Sequence, residues 1–158
     1  MNENQHNMQA SILDRLIDIE PGLSHEPVQQ RLVDIRQLKA SVIRDLEQLL
    51  NARRHIFPPP VALTEVNNSL YVYGLRDFTS ENPRSPSVRQ QLRQDIEKTI
   101  ARFDPRLRNV TVQFETRNPN ERNLRFRIAG MLVVDPVVEP VTFDTYFDIN
   151  RSQYVITK

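Results

Sequence analysis

Residues 103 to 107 read FDPRL, and they stand where one hydrophobic period ends and another begins. On the N-terminal side, Val88, Leu92, Ile96, Ile100 and Phe103 recur at spacings of four, four, four and three, which predicts an amphipathic helix opening at Ser87. On the C-terminal side the period becomes two, with Val110, Val112 and Phe114 alternating with Thr111, Gln113 and Glu115. Pro105 disfavours helical geometry at Asp104, so the switch of period coincides with a forced corner. Two more alternating runs follow, Leu124 to Gly130 and Val141 to Ile149, and a short strand over Gln153 to Ile156 follows the turn at Asn150 to Ser152. Helices first and strands afterwards give an α+β class, with N-terminal helices packed on one face of a mainly antiparallel C-terminal sheet of three or four strands.

Working back from the corner, residues 61 to 87 hold Pro, Asn, Ser and Gly among scattered apolar residues and predict a long connection with one helical turn around Asn68 to Tyr73. Its Tyr71, Tyr73, Leu75 and Phe78 are the candidates to pin it to the core. Before the triple proline 58 to 60, helical spacing runs from about Val28 to Ile56, with Leu38, Val42, Leu46, Leu49 and Leu50 on one face. Arg53, Arg54 and His55 then stand at the helix C-terminus, where cations favour the dipole. A shorter helix opens at Ser11 with Ile12, Leu13, Leu16, Ile17 and Ile19, and stops near Glu20 before Pro21 and Gly22. It is too short to stand alone in water, so its stripe docks either on its own core or in a partner's groove. The first ten residues are polar and are expected to be disordered. Residues 1 to 26 are therefore expected to form a flexible tail with a short docking helix, and residues 27 to 158 a single domain.

Composition removes several classes of function. The chain has 158 residues, net charge +1 and no cysteine, which excludes disulfides and thiolate chemistry. The opening MNENQHNMQA lacks the blocks of a signal peptide and no apolar run reaches membrane-spanning length, so a cytoplasmic protein with no direct membrane insertion is expected. His6, His25 and His55 have no metal-ligand spacing, three glycines make no phosphate loop, and no GxSxG elbow occurs. Asp144 and Asp148 share a strand face roughly 13 Å apart, beyond the roughly 5 to 9.5 Å of glycosidase carboxyl pairs. No cofactor, metal or small-molecule substrate is therefore expected. Residues 84 to 127 carry eleven Arg or Lys against five Asp or Glu, with Arg117, Arg122, Arg125 and Arg127 among them. Phe114 and Phe126 alternate to the opposite face, so this basic surface lacks the stacking platform of a single-strand reader, and no nucleic-acid partner is expected.

SILDRLID (11 to 18), SVIRDLEQLLNARR (41 to 54), SLYVYGLRDF (69 to 78), FDPRL (103 to 107) and VTFDTYF (141 to 147) follow one another in an order and spacing that resemble the TssE family of type VI secretion baseplate subunits. That family is similar to the baseplate wedge protein from which contractile phage tails start their sheath. The family's Glu-Pro-Arg triplet is matched by Asp104, Pro105 and Arg106 with a shorter acid, and its YGLPDF by Tyr73 to Phe78 with Arg76 in place of Pro. The resemblance implies a non-enzymatic wedge subunit at the cytoplasmic baseplate docked to the inner-membrane complex, joined to TssF, TssG and TssK beneath the TssB and TssC sheath. Asp104, Pro105 and Arg106 would project at the corner toward wedge neighbours, with Leu13, Leu16, Ile17, Arg53 and Arg54 completing that surface. Arg106→Ala would then leave folding intact and abolish assembly. Residues 141 to 156, with Val141, Phe143, Asp144, Thr145 and Phe147, would present a free strand edge on which the sheath nucleates. IraD-like anti-adaptors, which bind a response regulator, share a similar plan but lack the SILDRLID opening and the Arg53 and Arg54 ending. A peptidoglycan muramidase is the remaining enzyme alternative.

Overall fold

A computed structural model of the chain describes residues 8–9, 11–16, 22, 32–33, 35–78, 80–82, 85–115, 124–135, 137–148 and 150–157. A two-residue strand, β1 (Met8–Gln9), precedes a helical turn, α1 (Ile12–Leu16), and pairs antiparallel with β2 (Leu32–Val33). The two long helices are α2 (Ile35–Asn51) and α4 (Pro86–Phe103). Between them lie a short helix, α3 (Thr64–Asn67), and a 3-10 turn at Leu70–Val72. The main sheet is β3 (Leu107–Phe114), β4 (Arg125–Val134), β5 (Val137–Asp148) and β6 (Gln153–Thr157), antiparallel and in chain order.

The architecture is α+β, and its core follows from the two periods meeting face to face. Leu38, Val42, Leu46, Leu49 and Leu50 of α2, with Leu92, Ile96 and Ile100 of α4, cover Val112, Phe126, Ile128, Leu132, Val141, Phe143 and Ile156 of the sheet. Every second residue of β4 and β5 thus points at the helices, and the outer face carries Arg125, Arg127, Thr142 and Asp144. Pro86 lies in the first turn of α4, where its missing N–H costs no hydrogen bond.

Several boundaries depart from the expectation. Helix α2 starts at Ile35 because Leu32–Val33 is committed to pairing with Met8–Gln9, two residues expected to be disordered. It ends at Asn51, not Ile56, because the backbone beyond it is used by a second segment: Leu75 N–H donates to Ala52 O at 2.9 Å and Arg54 N–H to Leu75 O at 2.9 Å. Gly74 permits this approach, with φ of 94° and no room for a Cβ, which would lie 2.3 Å from Ala52 O. In the connection, Leu75 is buried and Tyr73 and Phe78 pack on the core as expected, but Tyr71 is exposed and Val72 fills the core instead.

Strand β3 begins at Leu107, earlier than the alternation suggests, because a bulge between Arg108 and Thr111 shifts the phase. Asn109 carries the bulge with φ of 54°, a conformation asparagine tolerates. Strands β4 and β5 also run closer together than their alternation showed, with Val134 facing Val137 and Pro140 facing Met131.

Candidate functional site

At the exit of α4, the sequence corner becomes a closed ion-pair network. Asp104 caps the helix by donating its N–H to Ile100 O at 2.8 Å, and its side chain is turned inward, 6% exposed. Its two oxygens accept the Arg106 guanidinium fork, Nε to Oδ1 at 2.9 Å and Nη2 to Oδ2 at 2.8 Å. The Arg106 N–H also donates to Oδ1, which locks the tight turn that Pro105 imposes. The guanidinium then reaches across to α2, donating to Asp45 Oδ2 at 2.8 Å and to the hydroxyl of buried Ser41 at 3.4 Å. Hydrogen bonding to Asp104 is the main reason that Arg106 is held above its ordinary pKa, against the opposing pull of burial. Asp45 is also bound by Arg44, at 3.1 and 3.0 Å. Tyr73 lies beside this site, edge-on to Phe103, and partial burial, with Asp45 and Asp104 adding, raises its phenol pKa.

A second arginine reciprocates from the exit of α2. Arg54 donates through Nε and Nη2 to Gly74 O at 3.0 and 2.9 Å, and through Nη2 to Asp95 Oδ1 at 2.8 Å and Thr99 Oγ1 at 3.0 Å, both on α4. Asp95 Oδ2 also accepts the Arg76 N–H at 3.0 Å. Each long helix therefore ends in an arginine that grips the other.

These contacts correct two expectations. Asp104 and Arg106 do not project from the corner, because the Asp104 side chain is turned inward and its carboxylate, with Asp45 on α2, holds the guanidinium across the gap; Pro105 alone of the three is exposed. Arg54 is likewise turned inward, whereas Arg53 is exposed and pairs with Asp77 on the surface. On α1, Ile12, Leu13 and Leu16 are exposed, and Ile17 lies outside the described residues.

The expected strand-edge surface is also rearranged. Strand β5 pairs with β4 along its length and with β6 only over Asp144–Asp148, so Thr145 lies between two strands, while Val141 and Phe143 turn their side chains into the core and pair with β4 alone among the described residues. Asp144 is exposed and accepts Arg127 Nε at 2.7 Å, with Glu115 on the other arm of the same arginine at 3.3 Å. This pairing neutralises part of the basic face read from Arg125 and Arg127; Arg117 and Arg122 lie outside the described residues. Phe147 is half-buried against Tyr154, ring centroids 5.0 Å apart. Among the described residues the edges of the sheet are β3, β6 and, beyond the end of β6, residues 137–143 of β5.

Two features had no expectation behind them. A groove of about 290 Å³ lies at the β6 end of α2, lined by Leu50, Leu75, Phe78, Leu92, Phe147 and Tyr154, with Arg53, Arg76 and Glu81 among its polar residues. Burial pushes the Tyr154 phenol up to about 12. The second feature is an exposed apolar prominence, Ile56, Phe57, Val61, Leu63, Leu70 and Tyr71, braced by His55, whose Nδ1 accepts the Phe57 N–H at 3.2 Å and lies 3.1 Å from the Tyr71 hydroxyl. Its signal was the aperiodic apolar run around the triple proline. Among the described residues no cluster of His, Asp or Glu could hold a metal ion, and no helix is long and apolar enough to cross a membrane.

Residues 36–137, from α2 to the start of β5 and including both arginine corners, match the family described as baseplate wedge protein gp25. A solved structure described as the baseplate complex from the type VI secretion system contains a chain 21% identical to this one, aligned over 70% of this chain and 94% of that chain with a TM-score of 0.47. No curated protein matches the sequence. On the strength of the family match, which spans well over half of its length, the chain belongs to the gp25 family of baseplate wedge proteins.

Proposed function

We propose that this baseplate protein is a non-enzymatic, TssE-like subunit of a type VI secretion wedge, which joins TssF, TssG and TssK and starts the TssB and TssC sheath. The observation that carries this reading is the amount of apolar surface left outside the core. Ile12 and Leu16 are each 77% exposed, Phe57 73% and Val61 94%, and a partner that covered them would remove this apolar surface from water. Wedge neighbours would cover α1, through Leu13, Leu16 and Ile17, and the prominence around Phe57. Arg53 and the exposed ring of Pro105 lie on the same role, with Asp104 and Arg106 acting by holding the corner in shape. Sheath contact falls to the parts of residues 141 to 156 that reach an edge, residues 141–143 of β5 beyond the end of β6 and β6 itself.

Affinity purification of the tagged full chain from its native cells at moderately high salt, with partners identified by mass spectrometry, tests the proposal. Recovery of TssF, TssG and TssK is expected. Recovery of a response regulator without any baseplate subunit would overturn it and favour the anti-adaptor reading.

A further inference from the structure

An edge strand turns alternate N–H and C=O groups outward, and at β6 the residues whose groups face away from β5 are found in side-chain hydrogen bonds. The Tyr154 N–H donates to Asn51 Oδ1 at 2.7 Å, and Asn51 Nδ2 donates back to Tyr154 O at 2.9 Å. The next outward N–H, that of Ile156, donates to Glu47 Oε1 at 2.8 Å. Glu47 and Asn51 are four apart on α2, so they stand one above the other along the strand. The asparagine amide makes the same paired bonds to Tyr154 that a residue of a neighbouring strand would make. Asn51 also lines the apolar groove together with Tyr154 and Phe147, so the groove opens beside the latched edge.

The geometry points to Glu47 and Asn51 as a displaceable latch on β6: they occupy the backbone positions that an incoming extended segment needs, and that segment must replace them to add to the sheet. The partner that fits is an extended chain with an apolar side chain at the position beside Asn51, where the groove receives it. The β3 edge is a poorer acceptor, because it carries the Arg108 to Thr111 bulge. The inference rests on the reading that sheath subunits add at β6, and it supplies a reason why they do so under control. A latch closed most of the time lowers the apparent affinity for the incoming strand by the open fraction.

The test uses the full chain, the double variant Glu47→Ala with Asn51→Ala, and purified sheath-subunit pair as the probe. Amide exchange at Tyr154 and Ile156 in the free protein should accelerate about tenfold in the variant, and the sheath pair should bind it about tenfold more tightly. Unchanged exchange at both amides overturns the latch. Faster exchange with equal or weaker sheath binding overturns the gating role, since the side chains would then form part of the platform. Faster exchange with no sheath binding by either protein upholds the latch and overturns the sheath reading. Should the double alanine variant unfold, Asn51→Asp keeps the acceptor for Tyr154 N–H while losing the donor to Tyr154 O, and the same two readouts apply.

Discussion

The two arginine corners solve one problem with different chemistry. Arg106 closes the exit of α4 with carboxylates, a two-bonded fork on nearly buried Asp104 and a third bond to Asp45 on α2. Arg54 closes the exit of α2 with one carboxylate and two neutral acceptors, Asp95, the Gly74 carbonyl and the Thr99 hydroxyl. The difference teaches where each corner is vulnerable. Losing an arginine strands charge at the first and mainly strands hydrogen bonds at the second, and stranded buried charge is the costlier.

The largest effect is therefore expected at Arg106. Arg106→Ala leaves Asp104 buried without a cation and should lower stability by about 3–5 kcal/mol in denaturant unfolding. A loss under about 1 kcal/mol would place this corner among exposed ion pairs and erase the contrast. Arg54→Ala should cost less, about 2 kcal/mol, because Asp95 retains the Arg76 N–H and Thr99 is a neutral group. An Arg54→Ala loss equal to that of Arg106→Ala would show that helix tethering, rather than charge burial, sets both.

Each corner also has a tyrosine, and pH separates them with a smaller effect. Tyr154, near Arg53 and Asp95, is pushed from 10.0 up to about 12 by burial. Because the folded value is the higher one, its contribution is complete below pH 10 and is lost as pH rises through about 12. The loss should reach about 2 kcal/mol, and Tyr154→Phe should flatten it. Tyr73 is raised in the same direction by partial burial, Asp45 and Asp104. If Tyr73→Phe were the variant that flattened the alkaline profile, the acidic corner would be the pH-sensitive one.

The parts of this fold that could be read in advance are those set by neighbours a few residues apart. The stripe from Val88 to Phe103 and the alternation in β4 and β5 named the core faces because period alone decides them. The end of α2 was misplaced because Arg53 and Arg54 suit a helix C-terminus equally well; what stops the helix is Leu75, more than twenty residues later. The bulge at Asn109 hid the start of β3 by shifting its phase, and Pro140, where β5 pairs with β4 alone, concealed the length of that strand. Of the site, FDPRL was recognisable as a corner, but its direction was not. Arg106 finds Asp45 sixty-one residues away, and Arg54 finds Asp95 forty-one residues away, and no local pattern encodes either meeting.

The exposed prominence around Ile56 and Phe57 has a consequence for the economy of the cell. Apolar surface of this kind is tolerable while a partner covers it, and a surplus copy carries it into solution. Were wedge neighbours to cover it, as proposed above, synthesis beyond what the baseplate absorbs would feed chaperones and proteases. The amount of free protein would then be tied to the number of assemblies that take it up.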